Sequence, residues 1–270
     1  MTPGLHRFAE LTRAEVAALR DSGALAVLPL GATEQHGDHL PVGTDHVLAG
    51  MVAEDAARAC TAVPVLVLPT MPFGLSPHHR LWAGTVTLSA ATLIAVLKEV
   101  AGSLAATGFT RLLIVNGHGG NVAPMGIAVT ELCSSGIACG AVNYFAPGEA
   151  AWRPLLTGSF AGVGHACEFE TALHMALVSA ERAARIAALL PGLPPRLVQP
   201  YMAEGVALDP VREAGALFAP VFGIQDIGYY GDPAASTLAT GEAVRRAVVQ
   251  ALAQFYAAFA AAPLRTLPAG

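Results

Sequence analysis

Short apolar runs alternate along the chain with stretches in which apolar residues recur every three or four positions. The runs from Leu25 to Leu30, Val63 to Leu68, Arg111 to Val115 and Ile137 to Tyr144 end in glycine, proline or polar turns, and they read as buried strands. The helical period predicts helices at about His46 to Arg58, Ala90 to Ala106, Val122 to Cys133, Glu168 to Val178 and Gly241 to Ala260. Strands alternating with helices join by right-handed crossovers into a mostly parallel sheet covered on both faces. The expected fold class is therefore α/β, a three-layer sandwich built as a single domain over residues 1–270. The proline-rich stretch from Pro191 to Pro220 breaks the pattern and reads as a long excursion carrying an extra hairpin or subunit contacts.

Composition narrows the field. With 270 residues, 54% of them hydrophobic, the chain can bury a substantial core. Only 13% are charged and the formal net charge is −5, so no electrostatic footprint for nucleic acid or an anionic membrane surface is present. The uncharged stretches from Cys60 to Pro77 and from Leu112 to Thr130 do not read as membrane spans: the first holds Pro64, Pro69, Pro72 and Pro77, the second a glycine-rich polar turn. The segment Met1 to Arg20 carries His6, Arg7, Glu10, Arg13 and Glu15 and no apolar signal core, which predicts a cytoplasmic protein. Cys60, Cys133, Cys139 and Cys167 form no CxxC pair, and reduced thiols are expected.

Three clusters can carry chemistry. Thr33-Glu34-Gln35-His36-Gly37-Asp38-His39-Leu40-Pro41-Val42-Gly43-Thr44-Asp45-His46 leaves the first predicted strand; in extended chain Glu34 and His36 face the same way and form a natural ligand pair. Asp45, at the start of the next helix, would either cap orphan N–H groups or bridge two cations. Mixed carboxylate and imidazole donors suit zinc, manganese or iron better than calcium or magnesium. In the second cluster, Asn116-Gly117-His118-Gly119-Gly120-Asn121, a buried strand runs into a glycine-rich turn, which would stand His118 in the crevice at the strand ends and offer backbone N–H groups to an oxyanion. A phosphate loop fits poorly, because Val122 occupies the last small position of GxGxxG and no GxxxxGK[ST] exists. The third cluster is Gly164-His165-Ala166-Cys167-Glu168-Phe169-Glu170-Thr171-Ala172. On a regular helix Glu168 would share a face with His165 and Glu170 would lie opposite. That spacing does not let His165 activate Cys167, and no GxSxG elbow exists, so cysteine and serine nucleophiles are disfavoured.

Taken together, Thr33-Glu34-Gln35-His36-Gly37, His39-Leu40-Pro41, Thr44-Asp45, Asn116-Gly117-His118-Gly119-Gly120-Asn121 and His165-Ala166 with Glu170-Thr171 resemble the creatininase (creatinine amidohydrolase) family. Ser76-Pro77-His78-His79, Gly84-Thr85 and Gly231-Asp232-Pro233 extend the resemblance over nearly the whole chain. It implies a hydrolase of non-peptide or cyclic C–N amide bonds, formamides or small peptide-like amides, with a hydroxide bridging two divalent ions, Zn, Mn or Fe. It further implies that Glu34 and His118 hold one ion, His36 the other and Asp45 both, that His165 protonates the leaving nitrogen, and that the chain assembles as a hexamer around a small-molecule amide substrate. His39 and His79 are candidates for supporting the ligands or touching substrate.

There are departures. Gly119-Gly120 stands where the creatinine-hydrolysing members have Tyr-Glu, so the second ion needs a carboxylate from elsewhere: Glu168 is the first choice and Glu170 the second. Asp38 and His78 replace an expected proline and glutamate, and only Trp82 and Trp152 could build an aromatic cage, which argues against creatinine itself. The non-catalytic alternative is a metal-containing small-molecule binding protein of the same fold.

Overall fold

A computed structural model describes residues 2–197, 222, 224 and 226–263. Five strands form one parallel sheet in the order β1-β3-β2-β4-β5: β1 (Gly4–Arg7), β2 (Leu25–Leu30), β3 (Pro64–Val67), β4 (Leu112–Asn116) and β5 (Cys139–Asn143). Every residue of β2, β3 and β4 is buried, which is why these strands read as unbroken apolar runs.

The strand pleat sorts their side chains into two cores. Leu25, Val27, Val65, Val67, Leu113 and Val115 face α2 (Thr44–Ala59), α6 (Glu168–Leu177) and the C-terminal helix. Their neighbours Ala26, Leu28, Leu30, Leu66, Leu112 and Ile114 face α1 (Arg13–Asp21), α3 (Ala90–Ala106) and α4 (Val122–Ser134) on the other side. Three layers result, as the alternation of elements predicts. The remaining helices are α5 (Glu149–Trp152), α7 (Ala180–Leu189) and α8 (Leu238–Ala261), the last being the C-terminal helix.

Four elements add to the sequence expectation: β1, α1, the one-turn α5 and α7. Strand β1 is a four-residue edge with half-buried side chains, and α1 is a short, mostly polar helix that buries only Leu19, so neither carries a long apolar pattern. A capping box nonetheless marks the start of α1: Thr12 accepts from the Glu15 N–H while the Glu15 carboxylate accepts from the Thr12 N–H. Helix α7 also begins at a side-chain cap, Ser179, and buries only Ala183 and Ile186. Most of the Pro191 to Pro220 excursion, residues 198–220, lies outside the described residues. Among the described residues no helix is long and apolar enough to cross a membrane, and the four cysteines are unpaired.

Helix α6 carries part of the candidate site, and α8 seats it. Gly241 lets the two backbones meet: a Cβ there would stand 1.9 Å from the Ala172 carbonyl oxygen, so any side chain must push the helices apart. Gly241→Ala is expected to lower stability by about 1–3 kcal/mol, an overpacking cost read as a lower thermal midpoint. At the sheet edge, Arg7 donates Nε and Nη2 to the two carboxylate oxygens of Glu54 at 2.9 and 2.7 Å, and this hydrogen bonding holds the Glu54 carboxyl below its usual range. A lowered carboxyl pKa adds stability above the ordinary value and loses it as pH falls through the lowered one. Replacing Glu54 by Gln is therefore expected to cost about 0.5 kcal/mol at neutral pH, with the deficit vanishing in acid.

Candidate metal centre

The crevice for a site is set by topology. Strands β2 and β4 are neighbours, yet the helix after β2 packs on one face of the sheet and the helix after β4 on the other. Their departing loops diverge and leave a gap at the carboxyl ends, where open α/β sheets bind ligands. Both loops bring chemistry to that gap. The β2 loop contributes Glu34 and His36, and the β4 loop contributes His118.

Backbone anchoring aims each imidazole. His118 donates from Nε2 to the Leu75 carbonyl at 3.0 Å, so Nδ1 is the nitrogen turned to the carboxylates, 3.0 Å from Asp45 Oδ2 and 3.4 Å from Glu34 Oε1. His36 donates from Nδ1 to the Glu34 carbonyl at 3.1 Å, leaving Nε2 at 3.1 Å from Asp45 Oδ1. His165 donates from Nε2 to the Gln35 carbonyl at 2.7 Å and turns Nδ1 toward Glu34 Oε1, 3.4 Å away. A ring whose outer nitrogen is committed to a carbonyl is fixed in tautomer and direction, the usual support of a metal-binding histidine. The β4 loop itself is held by Asn116, whose side chain accepts from the His118 N–H and donates to the His118 carbonyl, and by Asn121, which donates to the Gly31 carbonyl.

Asp45 does not cap its helix. It is the second residue of α2, the N-cap Gly43 has no side chain to offer, and the Asp45 carboxylate splits between His36 and His118. Glu34 is fully buried, and neither of its oxygens has a hydrogen-bond partner among the described residues; the same holds for Asp45 Oδ2. Burial pushes the Glu34 and Glu170 carboxyls upward. For His36 and His118 burial opposes the charged ring, but Asp45 and Glu34 outweigh it and raise them to about 10 and about 9. Burial opposes the Asp45 carboxylate too, yet the two imidazoles hold its pKa well below the usual range. The cluster thus gathers positive charge around unpartnered carboxylate oxygens, the requirement a divalent cation meets directly. Three donor groups have ligand atoms within 4.8 Å of one another: Glu34, His78 and His118; Glu34, His36 and His165; and His36, Asp45 and Glu170.

Glu168, the first choice from sequence for the extra carboxylate, is not among these groups. Its oxygens accept from the backbone N–H groups of Thr157 and Gly158, both at 2.9 Å, and pin that loop. The helical spacing that linked it to His165 fails because α6 starts only at Glu168: Ala166 sits at φ +50° and Cys167 is an extended N-cap, so His165 precedes the helix on a kinked backbone. Glu170, the second choice, points inward and accepts from the Ala166 N–H at 2.6 Å. Position 120 has no room for a carboxylate, since a Cβ on Gly120 would meet the Leu75 carbonyl oxygen at 2.2 Å.

The other candidates are distributed around the centre. His39 bonds the Ala166 carbonyl at 3.1 Å behind the site, and His46 bonds the Ala32 carbonyl at 3.0 Å; both are structural. His79 accepts from Gln35 Nε2 at 2.9 Å, so it presents an N–H, not a lone pair, to Glu34 Oε1 at 3.5 Å. His78 joins the cluster, although its sequence position suggested only an altered rim; the His-His doublet after Ser76-Pro77 was the available signal. The centre opens into a cavity of about 330 Å³ whose walls include Phe145, Val163, Phe222 and Tyr230. Neither tryptophan lines it, and Trp152 is buried against Phe169.

A buried carboxylate and imidazole centre at the carboxyl ends of a parallel sheet defines a metal-binding α/β protein with a hydrolase-like cleft. The family model for creatininase, described as creatinine amidohydrolase, matches residues 9–256, and the chain belongs to that family. A mycofactocin precursor peptide peptidase from Mycobacterium ulcerans (strain Agy99) is 33% identical over 233 residues, 81% of this chain and 78% of the relative. The creatinine amidohydrolase of Pseudomonas putida is 31% identical over 185 residues, covering 62% and 70%. A crystal structure of creatinine amidohydrolase superposes with a TM-score of 0.69 at 28% identity over 92% of this chain and 95% of that one. Two further creatininase structures, described as a Zn-Zn type and as an Mn form, have TM-scores of 0.68 and 0.67 at 27% identity, each over 92% of this chain and 96% of theirs.

The two glutamates separate experimentally. Glu168→Ala is expected to cost about 1–3 kcal/mol by orphaning two N–H groups while leaving metal content intact. Glu170→Ala is expected to lower metal content measured by elemental analysis; full content in the Glu170 variant would remove it from the centre.

Proposed function

We propose that this chain is a dinuclear metal-dependent amidohydrolase that hydrolyses a C–N amide bond in a short peptide or small amide. The observation that carries this reading is the Asp45 carboxylate, with one oxygen 3.1 Å from His36 and the other 3.0 Å from His118. A carboxylate so split suits a bridge between two cations. Glu34 and His118 would hold one ion, and His36 and Glu170 the other. When bound, two divalent ions lower the pKa of water from about 15.7 toward neutrality and polarise an amide carbonyl.

The chain's own residues supply the rest. His165 lines the cavity with Nδ1 facing inward and Nε2 donating to the Gln35 carbonyl, so the Nδ1 lone pair is placed to take a proton from the attacking water and pass it to the departing nitrogen. Phe145, Val163 and Phe222 keep one wall apolar, which strengthens electrostatic interactions inside. The sequence expectation of a non-peptide substrate is widened here, because the relatives include a peptidase and the cavity wall has no tryptophan among the described residues. The reading includes a single functional domain over residues 1–270 and a cytoplasmic homo-oligomer, hexameric by family resemblance, which sedimentation would check.

The test is a screen of creatinine, formamides and short peptides against the chain loaded with zinc, manganese or iron. Turnover of a peptide or amide is expected, with His165→Ala losing about 10²- to 10⁴-fold in kcat while keeping its metal. Asp45→Ala and His118→Ala are expected to lose metal; full occupancy in both would rule out the bridge. Metal binding with no turnover of any substrate would favour the binding-protein alternative.

A further inference from the structure

The turn Pro77–His79 places two adjacent imidazoles at the site with different duties. His79 is committed: Gln35 Nε2 donates to its Nδ1, and the Gln35 carbonyl end is itself fixed by the Gly37 N–H at 2.8 Å, so the amide orientation is settled. His78 is not committed in that way. Its ring makes no hydrogen bond among the described residues, and its nearest charged neighbour is Glu34, Oε2 lying 3.9 Å from its Nε2.

The ring is also held in a direction. It stacks on His118 with planes 2° apart and centroids 5.6 Å apart, so the two imidazoles stand side by side before the same carboxylate. A separation of 3.9 Å is long for a hydrogen bond but suits two donors on opposite sides of one ion, since Zn–N and Zn–O bonds of about 2.0–2.2 Å place paired ligands roughly 3–4 Å apart. Both Glu34 oxygens lack hydrogen-bond partners, so Oε2 is available on the side where His78 stands. The side chain of His78 is 19% exposed, at the mouth of the cavity, while His118 is almost wholly buried beneath it.

We propose that His78 is a direct ligand of the ion held by Glu34 and His118, closing that ion's shell from the cavity mouth together with Asp45. Two imidazoles and two carboxylates make a four-donor set at this position. The extra nitrogen biases it toward zinc and away from manganese, which prefers oxygen. The other position, with His36, Asp45 and Glu170, offers one nitrogen and three donors in all, one fewer than the first. The two ions thus differ in affinity: the one under His78 is tightly held, and the one beside Glu170 is exchangeable. This assignment rests on the dinuclear centre proposed above.

Full-length protein stripped of metal is titrated with Co²⁺, whose visible bands report nitrogen donors and coordination number, and with Zn²⁺ against a chelator of known affinity. The wild type is expected to bind two ions per chain with separated affinities. His78→Gln is expected to weaken the tighter zinc site by more than about 100-fold, beyond the 10- to 100-fold that removing a supporting partner costs, and to change the cobalt bands. His78→Glu, a carboxylate of similar reach, is expected to recover the stoichiometry with a preference moved toward Mn²⁺. Unchanged zinc affinity and an unchanged cobalt spectrum in His78→Gln, with unaltered circular dichroism, would overturn the ligand while leaving the dinuclear centre intact. Wild-type protein that binds no more than one ion would instead overturn the centre itself, and the ligand assignment with it.

Discussion

The structure depends on one constraint: three carboxylates, Glu34, Asp45 and Glu170, are buried together with His36 and His118, and the half-buried His165 stands beside them. An isolated charge in such surroundings would cost tens of kcal/mol by simple solvation arguments, so the cluster must be neutralised from within. In the bare polypeptide that neutralisation falls to protons on His36 and His118, which Asp45 and Glu34 hold in place. Divalent ions compete for the same lone pairs. Metal binding and proton release are thus two descriptions of one charge balance.

The scaffold makes that balance possible by spending ordered backbone on it. The outer nitrogens of His36, His118 and His165 all end on main-chain carbonyls, those of Glu34, Leu75 and Gln35. None depends on another side chain alone for its direction, so the inner nitrogens converge without mutual adjustment. Those carbonyls lie in loops that leave the carboxyl ends of the buried parallel strands β2 and β3. On the far side, α6 is locked by α8 through Gly241, and Glu168 with Asp232 fixes the 157–159 loop through backbone N–H groups. The Gly231-Asp232-Pro233 motif therefore serves the frame of the site and not its chemistry.

How much of this could be read from the sequence follows from what each residue packs against. Strands β2, β3 and β4 were legible because both faces are buried, and α3 because its apolar stripe meets a single core. Strand β1 and helix α1 sit at the periphery, where short elements bury few apolar side chains. Glu34 and His36 were legible as a pair because they lie in extended chain, whose period of two is reliable over so short a span. The choice between Glu168 and Glu170 was not: it assumed a helix running back to His165, and the left-handed Ala166 ends that register before the first turn. His78 eluded the reading for a different reason. A turn of three residues has no period to project from, and only tertiary contact with His118 and Glu34 gives its ring a direction.

Gly120 and Glu170 show what such a site requires of its sequence. The backbone at position 120 lies against the Leu75 carbonyl, so the β4 loop cannot deliver a carboxylate there without moving His118. Glu170 reaches the same cluster from α6, across the cavity, with His36 and Asp45 as its neighbours. Charge balance fixes how many carboxylates must converge, but it does not say which element must carry them. A side chain arriving from α6 comes with a consequence: it occupies the wall opposite the β4 loop and leaves the space above Gly119 and Gly120 open. A side chain at position 119 would enter that space, whereas one at position 120 would run into the Leu75 carbonyl and the His118 ring. The glycine pair therefore leaves the cavity wall beside His118 to be formed by backbone alone.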